Sequence, residues 1–309
     1  MKDGPLRVGG RTVQVSSTDK VFFPDDGVTK GDLVGYYHQV AEVMVPHLRE
    51  RPVNLQRFPD GIKASGFFQQ DASGHFPDWM RTVTVPRRGR GGTVDHVVCD
   101  DAATLVYLAN QGTVTFHPWT SRVDHLDRPD LVIFDLDPDP GQGLDVVRAA
   151  ARAVRRALEE VGLVPFVQTS GSRGFHVVGP LRPGADVEVV KAFADDLARL
   201  VAARDPRRLT VEQRKAKREG RLFLDTGRNA YAQTAVAPYS VRARPGAPVA
   251  TPIDWDELGR VEPRSYRLRN LRRRLARKPD PWAGMTDRAE AFEPARARLD
   301  ELLAELRSH

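Results

Sequence analysis

Eight consecutive residues constrain the fold of this chain more than any other stretch. Leu131-Val132-Ile133-Phe134 runs into Asp135-Leu136-Asp137, and Pro138 stops the run. A short β-branched and aromatic segment closed by a turn former is a buried strand. Side chains alternate along a strand, so Asp135 and Asp137 point one way and Leu136 the other. Two carboxylates at a strand end repel unless something positive lies between them. A hard divalent cation meets that need, because Mg²⁺ and Mn²⁺ take oxygen ligands and share them with phosphates. A plain strand-end turn, with Asp137 capping it, fits the same residues.

Around this strand the pattern mixes strands and helices without regular βα alternation, which predicts an α+β fold. Residues 12–16, 51–58 and 113–116 read as strands, as do 164–169, 175–178 and 222–225. A capping-box pattern at Thr29 and Asp32 predicts a helix that carries Leu33, Tyr36, Tyr37, Val40, Met44 and Leu48 at helical spacing. Asp101 caps a short helix ended by Gly112. Residues 144–161 and 187–203 give two amphipathic helices, and 267–278 a basic one. A last amphipathic helix is expected over about 286–307. The spacing shows no internal repeat, so residues 1–309 are taken as one domain with its core at about 12–284.

At 309 residues the chain can bury a substantial core. It has no apolar run of membrane-spanning length and no signal-peptide core at Met1-Lys2-Asp3. One cysteine, Cys99, excludes an internal disulfide and a cysteine-cluster zinc site. The expected compartment is the cytoplasm. Net charge is +6, and residues 204–278 hold 20 Lys and Arg against 8 Asp and Glu. Such a basic segment suits a polyanion such as nucleic acid, or is a solvated arginine-rich surface.

The polar residues at strand ends form a constellation. Asp225 closes the apolar run Leu222-Phe223-Leu224, as Asp135 and Asp137 close theirs. His117 follows another strand, and His176 follows the turn Ser170-Gly171-Ser172-Arg173-Gly174. Three carboxylates suit two metal ions that bridge a triphosphate and activate a 3′-hydroxyl. The Gly171/Gly174 turn can offer backbone N–H groups to phosphate oxygens, with Arg173 and His176 as further donors. No Gly-Lys-Ser/Thr occurs, so there is no Walker loop, and no Gly-x-Gly-x-x-Gly sits between a strand and a helix.

Three segments together resemble a known family: residues 133–138, residues 170–176, and the long run Thr234-Ala235-Val236-Ala237-Pro238-Tyr239-Ser240-Val241-Arg242-Ala243-Arg244-Pro245-Gly246. They are similar to the polymerase domain of bacterial ligase D, in the archaeo-eukaryotic primase superfamily. The likeness runs over residues 20–282, where Asp280-Pro281-Trp282-Ala283-Gly284 also fits. It implies a two-part primase-polymerase core with an RRM-like catalytic sheet and flanking helices. It implies nucleotide addition, with ribonucleotides preferred, at DNA gaps, overhangs and ends in non-homologous end joining. The implied partners are DNA with a 5′-phosphate, NTP or dNTP, Ku and a separate ligase, with no membrane. The implied cofactors are two Mn²⁺ or Mg²⁺ ions.

By position, the resemblance makes Asp135 and Asp137 the ligands shared by both metals. Asp225 becomes a ligand of the catalytic metal, and His117 a further metal-site residue. Ser170, Arg173 and His176 would hold the triphosphate, with Arg228 and Arg242 near nucleotide and metal. Lys20 and Lys30 match a pair that holds the 5′-phosphate of a gapped strand. Phe67 and Phe68 stand where the family stacks aromatics on template bases, and Arg87, Arg88 and Arg90 lie in a loop used in end synapsis. Arg173 replaces a common lysine, and Ala230-Tyr231-Ala232-Gln233 replaces a stretch that usually bears glycine. No Lys-x-Asp-Gly ligase motif occurs. A non-catalytic DNA-end-binding module and an Asp-x-Asp phosphatase are the competing readings. Intact carboxylates oppose the first, and Pro138-Asp139 opposes the second.

Overall fold

The chain is built as two units from interleaved segments. One takes Met1–Trp119, Thr234–Thr251 and Arg264–Asp280; the other takes Thr120–Gln233, Pro252–Pro263 and Pro281–His309. The computed structural model describes residues 1–72, 74, 76–89, 91–139 and 141–308.

The first unit opens with a hairpin of β1 (Gly4–Val8) and β2 (Arg11–Val15). Only its second strand was expected. Its turn is Gly9-Gly10, with φ of +54° and +80° at the two glycines, the conformation that two-residue hairpins require. β3 (Val21–Phe23) and β4 (Val28–Thr29) flank a tight turn closed by Gly27 at φ +58°. The capping box then forms as expected. The Asp32 N–H donates to Thr29 Oγ1 (3.1 Å), and the Thr29 N–H donates to Asp32 Oδ2 (2.9 Å). It starts α1 (Lys30–Leu48), which buries Leu33, Tyr37, Met44 and Leu48. β5 (Pro52–Arg57), β6 (Phe67–Gln69), β7 (Thr82–Pro86) and β8 (Thr93–Val98) follow, then α2 (Ala102–Asn110) and β9 (Thr113–Pro118). β5 pairs antiparallel with β6, β8 and β9, and β8 with β7. α2 packs on α1. The Tyr37 hydroxyl donates to the Val114 carbonyl at 2.6 Å, so the buried phenol is satisfied.

The second unit holds the strand with the two carboxylates. In chain order it comprises β10 (Leu131–Asp137), α3 (Leu144–Glu160), β11 (Phe166–Thr169), β12 (Phe175–Pro180), α4 (Val187–Arg204), β13 (Leu209–Thr210) and β14 (Leu222–Asp225). With β15 (Thr251–Ile253) they form a sheet in the order β13-β14-β10-β12-β11-β15. β10 is antiparallel to both neighbours, and β13 is parallel to β14. α3 and α4 cover one face. Val132, Phe134 and Leu136 are fully buried, with Val154 and Leu158 of α3 and Phe193 of α4 among the buried residues of the covering helices. Gly179 admits this packing, since a Cβ there would stand 3.1 Å from Val132 and 3.7 Å from Leu158.

The basic helix expected over 267–278 shrinks to α5 (Leu271–Leu275). Arg272, Arg273, Arg274, Arg277 and Lys278 crowd like charges into a stretch, residues 271–278, whose sequence holds no Asp or Glu, and Pro279 ends the run. The final helix, α6 (Phe292–Arg307), packs on α4 with the Phe292 and Phe193 rings 5.4 Å apart. Cys99 is buried and free. Among the described residues no helix is long and apolar enough to cross a membrane.

Candidate active site

Sheet register turns scattered sequence positions into one row. Asp135 of β10 stands directly opposite Asp225 of β14 on one side and His176 of β12 on the other. His176 in turn stands opposite Gln168 of β11. Directly opposed residues of antiparallel strands share a face, so Asp225, Asp135, His176 and Gln168 line up across four strands. Asp137 lies on the same face two residues beyond Asp135. This is the face opposite Phe134 and Leu136.

Hydrogen bonds tie the row together. Gln168 Nε2 lies 3.2 Å from His176 Nδ1, and His176 Nε2 lies 3.4 Å from Asp135 Oδ1. The Arg228 guanidinium reaches Asp135 Oδ2 at 3.4 Å through Nε and Nη2. Burial pushes the Asp135 carboxyl up, but His176 and then Arg228 outweigh it and hold the group at about 2. Asp135 is therefore a permanent anion at neutral pH. Arg173 Nη2 lies 3.7 Å from Asp137 Oδ2, and both side chains are well exposed. Asp225 Oδ1 accepts from the Gly227 N–H at 2.7 Å.

The Ser170–Gly174 segment is the hairpin turn between β11 and β12. Ser170 Oγ accepts from the N–H groups of Ser172 and Gly174, each at 3.2 Å. Only glycine fits at 174, because a Cβ there would sit 1.7 Å from the Leu136 carbonyl oxygen. The turn thus presses against β10 between its two aspartates. Gly171 at φ +64° completes the bend.

Asn229 has no counterpart in the sequence reading. It is fully buried in the turn after β14. Its Nδ2 donates to the carbonyls of Ile133 and Thr226 (2.7 and 2.8 Å), and its Oδ1 accepts from the Ile133 N–H (2.8 Å). One amide side chain thereby continues the β10–β14 ladder after the backbone has turned away. It fixes the segment that carries Arg228. Gln168 was missed as well. Its signal was present, since strand alternation with the hairpin register places it beside His176.

Other expected residues lie in the first unit. The Lys30 N–H donates to the Lys20 carbonyl at 2.8 Å, so the turn brings the two residues' backbones together. Burial lowers the Lys30 pKa, Asp3 opposes that, and the charge of Lys20 lowers it further. Lys20 Nζ meets Asp60 Oδ1 at 2.6 Å in an exposed pair of small energetic weight. Phe67 and Phe68 are exposed on β6, on opposite faces of the strand. The Arg57 guanidinium lies 5.5 Å over the Phe67 ring, and the Phe68 and His117 rings are 5.5 Å apart. His117 lies near the end of β9. Arg242 is half-buried, with its N–H donating to the Pro248 carbonyl at 2.7 Å. Arg87 and Arg88 occupy the exposed tip of the β7–β8 hairpin, closed by the Arg87 N–H on Gly92 O (2.9 Å). Arg90 lies outside the described residues.

A separate acidic cluster, Asp254, Asp256 and Glu257, gathers its carboxylate oxygens within 4.8 Å of one another. It follows β15, which β12 and β11 separate from β10 in the sheet. Glu257 accepts from the Asp254 N–H at 2.9 Å, so turn geometry accounts for part of this cluster.

A model of the LigD primase-polymerase domain matches residues 29–282. The chain belongs to that family. It is 33% identical over 295 residues to the multifunctional non-homologous end joining protein LigD of Mycobacterium bovis, covering 93% of this chain and 38% of that protein. Against LigD of Pseudomonas aeruginosa it is 31% identical, with 96% of this chain and 35% of that protein covered. The solved polymerase domain of Mycobacterium tuberculosis ligase D, in complex with DNA, superposes with a TM-score of 0.84 at 32% identity. That match covers 90% of this chain and 99% of the other. The α+β architecture is that of the LigD polymerase domain, and the chain is a primase-polymerase type nucleotidyltransferase. It spans under two-fifths of the length of these curated relatives.

Proposed function

We propose that the chain adds nucleotides to DNA at gaps and ends during non-homologous end joining, working as one primase-polymerase domain with its core at about 12–284. The observation that carries this reading is the row of Asp225, Asp135 and His176 on one sheet face, with Asp137 beside it. Three carboxylates on a single face are a hard-oxygen donor set that fits Mg²⁺ or Mn²⁺. Asp135 and Asp137 would hold both ions and Asp225 the catalytic one, with His117 assigned by the family pattern. Such ions supply Lewis-acid stabilisation of the phosphates and a lowered pKa at the attacking hydroxyl.

The chain's own residues do the positioning. His176 and Arg228 keep Asp135 ionised, so it needs no deprotonation before it can act as a ligand. Arg173 and the Ser170–Gly174 turn stand beside Asp137 and offer charge and N–H donors to a triphosphate, and the family pattern adds Arg242. Phe67 and Phe68 offer exposed rings for base stacking. Lys20 and Lys30, whose backbones the turn brings together, suit a terminal phosphate. Arg87, Arg88 and Arg90 would contact DNA at the hairpin loop. Ku and a separate ligase complete the pathway, in the cytoplasm at the nucleoid.

The test is extension of a labelled gapped duplex with rNTPs or dNTPs and with Mn²⁺ or Mg²⁺. Extension is expected, best with rNTPs, and no incorporation under any combination overturns the reading. In the same assay at one fixed salt concentration, a 5′-phosphate on the downstream strand should tighten binding. Changing Lys20 and Lys30 together to alanine should erase that preference.

A further inference from the structure

The helices that cover the apolar face of the six-stranded sheet carry a feature that the polymerase chemistry does not use. A groove of about 440 Å³ runs between α3 and the end of α4. On the α3 side it is lined by Ala149, Arg152, Ala153 and Arg156, and on the other side by Val201, Arg204, Asp205 and Arg208. The first set follows the spacing i, i+3, i+4, i+7 of a single stripe on α3, whereas the second runs off the end of α4, with Asp205 and Arg208 in the turn after it. Small residues at 149 and 153 leave the groove open between two pairs of guanidinium groups.

The charge there is only partly compensated. Arg204 pairs with Glu160 (2.7 Å) and Arg208 with Asp205 (2.6 Å). Arg152 and Arg156 make no side-chain hydrogen bond or ion pair among the described residues, and both are exposed. Four arginines against two carboxylates leave two excess positive charges on facing walls, an arrangement that an anion relieves. Guanidinium forks match phosphate oxygens in two-point contacts. The two arginines on α3 stand about one turn, ~6 Å, apart, which suits successive phosphates of a strand better than one small anion. An isolated phosphate would meet only solvated side chains in so open a groove.

We propose that the α3–α4 groove is a second nucleic-acid site, which holds the sugar-phosphate backbone of DNA on the side of the sheet away from the carboxylates. It rests on the DNA-directed reading above only for the identity of the polyanion.

The test uses the full chain and a fluorescent 40-nucleotide DNA, titrated over a series of salt concentrations. Arg152→Glu with Arg156→Glu should weaken binding about tenfold or more near 0.1 M salt and lower the slope of log K against log salt by about 2. Arg152→Gln with Arg156→Gln should give a smaller change in the same direction. Nucleotide addition at saturating primer-template should keep its wild-type kcat in both variants. That arm separates failure of this site from failure of the polymerase reading. A control with the same change in net charge, Arg288→Glu with Arg307→Glu, should leave the slope at the wild-type value. Wild-type affinity and slope in the groove variants overturn the proposal, and so does an equal loss in the control.

Discussion

On the helix-covered face of the six-stranded sheet, Val132, Phe134 and Leu136 have no solvent exposure and pack under α3 and α4. On the other face the same strand presents Asp135 and Asp137, and its neighbours add Asp225, His176 and Gln168. Alternation makes both faces from one short run of residues. The buried face needs only volume and apolarity, so many side chains could fill it. The polar face needs named atoms at hydrogen-bond distance, so few could. Stability and chemistry are therefore separable along β10 with a period of two, and single substitutions can test that separation.

The largest effect is expected on the polar face, in activity. Asp135→Asn, Asp137→Asn and Asp225→Asn should each lower nucleotide addition by roughly a thousandfold or more, about 4 kcal/mol of barrier. DNA binding should change little. Retained addition by any of the three, measured on a gapped duplex, would remove that carboxylate from the site.

Phe134→Ala is the counterpart one residue away. Emptying a fully buried aromatic position should cost about 3–5 kcal/mol of stability, read by chemical denaturation. Under conditions where the variant stays folded, nucleotide addition should persist. A loss of addition larger than the loss of folded protein would show that the faces are coupled.

Asn229 joins the two properties. Asn229→Ala removes three hydrogen bonds and leaves the Ile133 N–H and carbonyl buried without that partner. About 2–3 kcal/mol of stability should be lost. Addition should fall as well, because Arg228 sits on the turn that Asn229 fixes. Asn229→Asp keeps an acceptor for the Ile133 N–H but sets a buried carboxylate against the Ile133 and Thr226 carbonyl oxygens, so it should cost at least as much stability as Asn229→Ala.

A smaller effect is confined to acid. The Asp135 carboxyl is held at about 2 against an ordinary 3.8. A depressed carboxyl contributes its stability above the ordinary value, and that contribution drains away as the pH falls from 3.8 toward 2. The stability advantage of wild type over Asp135→Asn should therefore shrink by about 2 kcal/mol between about pH 5 and pH 2. An advantage that stays constant over that range would mean that His176 and Arg228 do not bias this group.

Much of the polar face was legible because strand ends punctuated by Asp, a Gly-bearing turn and a following His are local patterns. Asp135, Asp137, Asp225 and His176 all came from such patterns, and the register then aligned Asp225, Asp135 and His176; Ser170 came from the family resemblance. Asn229 was not legible, since its Ile133 partner lies 96 residues away and only pairing brings them together, whereas Gln168 could have been found from the hairpin register eight residues before His176. The capped starts of α1 and α2 were readable from side chains that bond within three residues. The short α5 was not, because reading 267–278 as a basic helix gave no weight to the repulsion among its closely spaced basic residues.

The smallest expected effect concerns the loop that leaves the polar face. Ala230–Gln233 stands where the family pattern bears glycine, and Ala232 keeps a left-handed backbone at φ +59°. An alanine in that conformation costs about 1 kcal/mol relative to glycine. Ala232→Gly would relieve this in the folded state, but it also frees the unfolded chain by about 0.4–1 kcal/mol. The two terms nearly cancel, so Ala232→Gly should change stability by no more than about 0.5 kcal/mol. Ala232→Val meets no such compensation, because a β-branched side chain crowds the left-handed region further. It should lose about 1–2 kcal/mol in denaturant titration while addition on a gapped duplex stays near wild type. If Ala232→Val instead loses activity at unchanged stability, this loop acts in the chemistry, and the boundary between the sheet's two roles lies beyond Asn229.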